Sequence, residues 1–126
     1  MKDIANRTYN IPVEATLDVI GGKWKTLIIC HLTYGPKRTN ELSKNMPAIT
    51  HKMLTQQLRE LEENGIVIRT VYNQVPPKVV YELSELGWSL KPLLTFMCDW
   101  GEKYIQELSR KELPPQTTTT SRGDEL

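Results

Sequence analysis

A short helix, a proline-containing turn, a capped second helix and a two-stranded hairpin follow one another across residues 36–81. That order predicts a mainly α fold with a small β-hairpin wing, the winged helix-turn-helix. The short helix is expected over residues 40–46, where Pro47-Ala48-Ile49 breaks it. Thr50 then opens a longer helix that reaches Asn64 and is stopped by Gly65. Two β-type runs, residues 66–72 and 79–83, flank the loop Asn73-Gln74-Val75-Pro76-Pro77-Lys78.

The flanking segments read as helices. Pro12 suits a first helical turn, Val13, Leu17 and Ile20 recur at helical spacing, and Gly21-Gly22 ends the run. Residues 23–34 form the next helix, with Trp24, Leu27, Ile28, His31 and Leu32 on one broad face. Ile29 and Cys30 make its other sides apolar as well, so it is expected to be central and covered on several sides. Gly35-Pro36 stops it, and Lys37-Arg38-Thr39 is expected as a short strand joining the hairpin as a third member. After the hairpin, Ser84-Glu85 marks a helix start whose pattern runs through Leu90, Leu93, Leu94, Met97, Trp100, Tyr104 and Leu108, with Pro92 breaking or kinking it.

Length predicts one domain, residues 11–111, with a loosely held segment 1–10 before it and a disordered, apolar-poor tail 112–126 after it. Hydrophobic content of 39% and charged content of 25% are those of a soluble protein. No apolar run approaches the roughly 20 residues that span a bilayer, and no signal-peptide block opens the sequence, so the expected location is cytoplasmic, with no membrane partner. Charge is asymmetric. Residues 1–59 carry a balance of +5 and residues 60–126 a balance of −4, which places the positive half over the helix-turn-helix.

The second helix of the motif reads as a DNA-reading helix. Thr50 can cap it, and Ile49 and Leu54 have the spacing of a hydrophobic staple. Leu54, Leu58 and Leu61 fall within about 60° of one another and form a core stripe. Lys52, Thr55, Gln56 and Arg59 cluster opposite, with His51 at the edge. Such groups suit base edges: Arg or Lys toward guanine, Gln toward adenine, Thr toward a thymine methyl. Any surface helix also shows polar residues opposite its leucines; the cap, the preceding short helix and the following hairpin favour DNA. Glu60, Glu62 and Glu63 lie toward the far end, where carboxylates would repel phosphate. In the wing, Arg69 and Lys78 flank a proline-stiffened tip with positive charge for backbone phosphates. Lys37 and Arg38 either touch phosphate or are the solvated end of a short strand.

The blocks from Pro12 to Lys25, Gly35-Pro36-Lys37-Arg38, Ile49 to Glu62, Val75-Pro76-Pro77-Lys78-Val79 and Trp100-Gly101, in that order, resemble the HxlR-type transcriptional regulators, relatives of the MarR group. The resemblance covers roughly residues 11–108. It implies a homodimeric winged helix on pseudo-palindromic operator DNA, often near its own gene, with a dimer interface from the first and the C-terminal helices. In this chain that means Val13, Leu17 and Ile20 together with Leu93, Met97, Trp100 and Tyr104. Two Trp and a Met/Phe-rich terminal helix are also more apolar surface than one small core needs, a sign of a partner site. Two positions depart from the family: Ile11 stands where many members carry a Cys, an N-terminal Cys being the sensor in the redox-sensing ones, and Thr39 where an aromatic is common.

No Gly-rich phosphate loop, nucleophile elbow or paired catalytic carboxylates appear, so no enzymatic activity is expected. His31 and His51 lie apart with no carboxylate cluster, so neither a metal nor a cofactor is expected. Cys30 and Cys98 read as inert packing residues, with thiol sensing as the alternative. An effector, small-molecule or redox, is left open, as is a winged helix whose same face docks a partner protein.

Overall fold

The computed structural model describes residues 8–112; the segment 1–7 and the tail beyond Glu112 lie outside the described residues. Helices α1 (Pro12–Ile20), α2 (Trp24–Leu32), α3 (Thr39–Asn45) and α4 (His51–Glu63) precede strands β1 (Val67–Tyr72) and β2 (Lys78–Leu83), and α5 (Glu85–Trp88) and α6 (Lys91–Glu112) follow. The chain divides into two compact units at Lys91–Pro92.

In the first unit, Pro12 occupies the opening turn of α1, where its missing N–H costs nothing. The residues just before it are tied to the helix: Tyr9 Oη donates to Asp18 Oδ2 at 2.8 Å, and the Asn10 N–H donates to Glu14 Oε1 at 2.7 Å. Thr26 Oγ1 donates to the Ile20 carbonyl at 2.9 Å and so fastens α2 to the end of α1.

Helix α2 is central, packing on α1, α3, α4 and β2. Its buried stripe is Ile28, Ile29 and Leu32, rotated from the expected face: Ile29 is enclosed, whereas Leu27 is exposed. An all-round apolar helix gives the sequence no way to choose between those settings, and the neighbours on several sides decide.

Helix α3 starts at Thr39, where Glu41 Oε1 accepts the Arg38 N–H at 2.7 Å. Lys37-Arg38-Thr39 is therefore not a strand. A single antiparallel bridge joins Lys37 to Tyr81, with N–H···O distances of 2.9 and 2.8 Å, and the helix takes the chain away two residues later, at Thr39.

Thr50 Oγ1 accepts the Met53 N–H at 3.0 Å and caps α4, and Ile49 and Leu54 are both buried, as a staple requires. Leu54, Leu58 and Leu61 are at most 1% exposed. At the other end Gly65 adopts φ +76°, which only glycine takes without strain. The Ile66 N–H reaches the Leu61 carbonyl at 2.9 Å and the Gly65 N–H the Glu62 carbonyl at 3.0 Å, a Schellman ending that aims the chain into β1.

β1 and β2 form an antiparallel hairpin in register from Val67↔Leu83 to Tyr72↔Lys78. Val67, Tyr81 and Leu83 anchor its base in the core, while Val75 at the tip is 98% exposed. Ser84 then joins three elements. Its Oγ donates to the Gly65 carbonyl at 2.6 Å and accepts the Gly87 N–H at 2.9 Å, capping α5 at the place where α4 ends. Gly87 must lack a side chain there, because a Cβ would collide with the Ile66 carbonyl oxygen.

All of α6 but its first residue lies in the second unit; the helix has 22 residues, with Pro92 in its first turn. Pro92 therefore marks a helix start after a break at Ser89, not a kink within one helix.

Leu58→Ala should cost about 2–5 kcal/mol through transfer and cavity terms, and Thr50→Ala about 1 kcal/mol through the lost cap. Urea denaturation of both variants checks this ordering; equal losses would contradict the packing described.

Candidate nucleic-acid interface

The site is built on α4 because one side of that helix is committed to the core. With Leu54, Leu58 and Leu61 enclosed, the residues half a turn away must face outward. His51, Lys52, Gln56 and Arg59 are exposed, as is Thr50 at the cap, while Thr55 is half-buried at the margin of the stripe. Met53 is exposed on the other margin, and Gln57 Nε2 lies 3.5 Å from its sulfur. Met53, being apolar, carries no polar signal in the sequence that would mark it as part of this face.

The outward polar groups are linked to one another. Gln56 Nε2 donates to Glu60 Oε2 at 2.8 Å, and Arg59 Nη1 donates to Gln56 Oε1 at 3.4 Å. Glu60, expected only as a carboxylate held away from phosphate, also pairs with Lys25 of α2, Nζ to Oε1 at 2.6 Å. Lys25 could not be found from the sequence, because the contact is made across two helices.

Beside the loop end of the hairpin a cleft of about 430 Å³ is lined by Pro36, Lys37, Arg38, Glu41, Tyr72, Lys78 and Val80. Three residues that the sequence offered separately as cationic contacts, Lys37, Arg38 and Lys78, therefore surround one space. The Lys78 ammonium also stands 5.3 Å from the centre of the Tyr72 ring, an attraction that favours a fixed position for the charge. Arg69 is exposed on β1.

The residues expected at a subunit interface fall into two groups. On α1, Val13 and Leu17 are exposed, but Ile20 is 5% exposed within the chain itself, so it belongs to the core and offers a partner almost no surface. Spacing placed Ile20 with Val13 and Leu17; the enclosure of the α1 end, where Thr26 ties it to α2, separates it from them. On α6, Leu93, Phe96, Met97, Trp100, Tyr104 and Leu108 are all exposed at helical spacing, and the Trp100 and Tyr104 rings stack with centroids 5.3 Å apart. Phe96 and Leu108 extend the stripe beyond the four residues expected. Cys98 is exposed, against the expectation that it packs inside the chain, and Cys30 is half-buried. Leu94, not Cys98, is the buried residue of that region of α6.

Among the described residues no group of His, Cys, Asp and Glu could hold a metal ion, and no helix is long and apolar enough to cross a membrane.

This arrangement has relatives. The pattern of the HxlR-like helix-turn-helix family matches residues 19–109. The uncharacterized HTH-type transcriptional regulator YtcD of Bacillus subtilis (strain 168) is 64% identical over 102 residues, covering 81% of each chain. The crystal structure of YtcD superposes with a TM-score of 0.73 at 62% identity, over 76% of this chain and 98% of that one. The redox regulator HypR in its reduced form gives 0.75 at 54% identity, over 79% and 99%. A MarR-family transcriptional regulator from Enterococcus faecalis V583 gives 0.69 at 36% identity, over 83% and 98%. A capped helix set on its leucines, a hairpin wing and this likeness over most of the chain agree: the protein is a winged helix-turn-helix transcriptional regulator and belongs to the HxlR-like helix-turn-helix family.

Proposed function

We infer that the protein acts as a homodimer in the cytoplasm, reading a pseudo-palindromic operator near an adjacent gene and repressing or activating that gene. The observation that carries this reading is the two-sidedness of α4, whose leucines are enclosed while Lys52, Gln56 and Arg59 stand in solvent. Arg59 and Lys52 complement guanine, Gln56 complements adenine, and the Thr55 methyl suits thymine. Thr50 and His51, at the N-terminal end, enter the groove first.

Lys37, Arg38 and Lys78 take the backbone. Three cations around one cleft are suited to phosphate, and this favours the phosphate role for Lys37 and Arg38 over a merely solvated strand end. The exposed stripe of α6 and, separately, the Val13 and Leu17 side chains of α1 are proposed as dimer contacts. A dimer that reads two half-sites in successive major grooves needs its two α4 helices about 34–36 Å apart, one duplex turn.

A second element concerns regulation. HypR is a redox regulator, and Cys98 is an exposed thiol on the helix that carries the proposed dimer surface. Ile11 stands where many members carry a thiol before the first helix, and of the two cysteines present Cys98 is exposed and Cys30 half-buried, which favours Cys98 as the proposed sensor over Cys30.

Fluorescence anisotropy with the DNA upstream of the protein's own gene, at two salt concentrations, tests the reading against a partner-protein role, which predicts no sequence preference. Gln56→Ala and Arg59→Ala should each lose about 1–3 kcal/mol of operator-over-random discrimination, and Lys78→Ala should lower the salt slope by about one unit. Equal losses on both DNAs would assign Gln56 and Arg59 to phosphate instead. Sedimentation of Trp100→Ala should give monomer where the wild type gives dimer; a dimer that persists unweakened would move the interface off α6. Diamide should weaken operator binding, and Cys98→Ser should resist it; unchanged affinity after oxidation would end the thiol reading.

A further inference from the structure

Glu60 is the least expected group on a helix that faces DNA, and its partners give it a use. Lys25, in the first turn of α2, places Nζ 2.6 Å from Glu60 Oε1, and the Lys25 side chain is only 12% exposed. The other carboxylate oxygen, Oε2, accepts the 2.8 Å hydrogen bond from Gln56 Nε2. At the far end of the same amide, Gln56 Oε1 accepts from Arg59 Nη1 at 3.4 Å. Lys25, Glu60, Gln56 and Arg59 thus form a chain of contacts running from the α2–α4 packing to the exposed face.

The chemistry of each group makes this chain directional. A primary amide donates from its nitrogen and accepts at its oxygen, and a half turn about its last bond exchanges the two with little change in shape. A carboxylate only accepts, so Glu60 pairs with the NH₂ end alone. A guanidinium only donates, so Arg59 pairs with the oxygen end alone. Both neighbours select the same orientation. An adenine edge in the major groove offers the N7 acceptor and the N6 donor side by side, and an amide is complementary only with its own donor and acceptor in the matching order.

We propose that Glu60, held by Lys25, is a positioning residue for sequence readout, fixing which end of the Gln56 amide faces which way and thereby the base that Gln56 prefers. The inference rests on α4 being the reading helix. Neither Glu60 nor Lys25 touches the base. Glu60→Gln keeps the length of the side chain but offers both a donor and an acceptor, so the Gln56 amide is free to reverse. Lys25→Met keeps the apolar stem and removes the charge that holds Oε1.

The full chain is incubated with a randomised double-stranded DNA pool, and base preferences are scored at every enriched position for the wild type, Gln56→Ala, Glu60→Gln and Lys25→Met. The position at which Gln56→Ala erases the preference is the one read by Gln56. There the preference should fall from about tenfold in the wild type to about twofold in Glu60→Gln, with Lys25→Met in between and other positions unchanged. A tie that is purely structural would lower the melting temperature and the affinity for all sequences alike while leaving base preferences intact, and that result overturns the proposal. So does a Gln56→Ala variant that loses no preference at any position. If the wild type itself enriches no sequence, the reading role of α4 fails first and this inference goes with it.

Discussion

Burial of Leu54, Leu58 and Leu61 holds α4 in one rotational setting, and the rest of the proposed site is a consequence of that setting. A helix has one angular position per residue, so fixing three leucines inside fixes Lys52, Gln56 and Arg59 outside. Water supplies the force, since each enclosed leucine contributes about 1.5–3 kcal/mol of transfer free energy relative to exposure. The caps then fix where the helix begins and ends: Thr50 at one end and the Gly65 Schellman turn at the other set the length over which that face is presented.

The same turn couples the reading helix to the wing. Gly65 and Ile66 deliver the chain to β1, and Ser84 returns from β2 to bond the Gly65 carbonyl while it caps α5. Hairpin and helix therefore leave from one hydrogen-bonded junction, and the lack of a side chain at Gly87 lets α5 approach the Ile66 carbonyl. The bridge from Lys37 to Tyr81 adds a second fastening, which brings the cations before α3 beside the cation of the wing. In this way local backbone chemistry assembles a positive cleft from residues some forty positions apart in the chain.

Polar groups on α4 do more than face solvent. A carboxylate near a phosphate backbone is unfavourable by simple charge, yet Glu60 is neutralised by Lys25 and engaged by Gln56, so its charge is met within the protein. On the proposed reading, a helix that contacts bases benefits from side chains held in one orientation before DNA arrives, because less freedom is lost on binding. The cost is that a residue of the supporting helix α2 becomes part of the recognition chemistry.

Local signals in the sequence were enough to define the helices and the hairpin of the motif and their order, though not the strand expected at Lys37-Arg38-Thr39. Thr50, Gly65, Ser84 and Pro92 mark helix ends by backbone chemistry that acts within a few residues, and the leucine spacing of α4 names its inner face without reference to any other element. Only the tertiary structure decided the matters that need a partner from elsewhere in the chain. The setting of α2, the enclosure of Ile20, the exposure of Cys98, the loss of a third strand to α3 and the pairing of Lys25 with Glu60 all depend on which surfaces meet. Periodicity states which residues share a face; it carries no information about what lies against that face, and burial and charge pairing are properties of the two surfaces together.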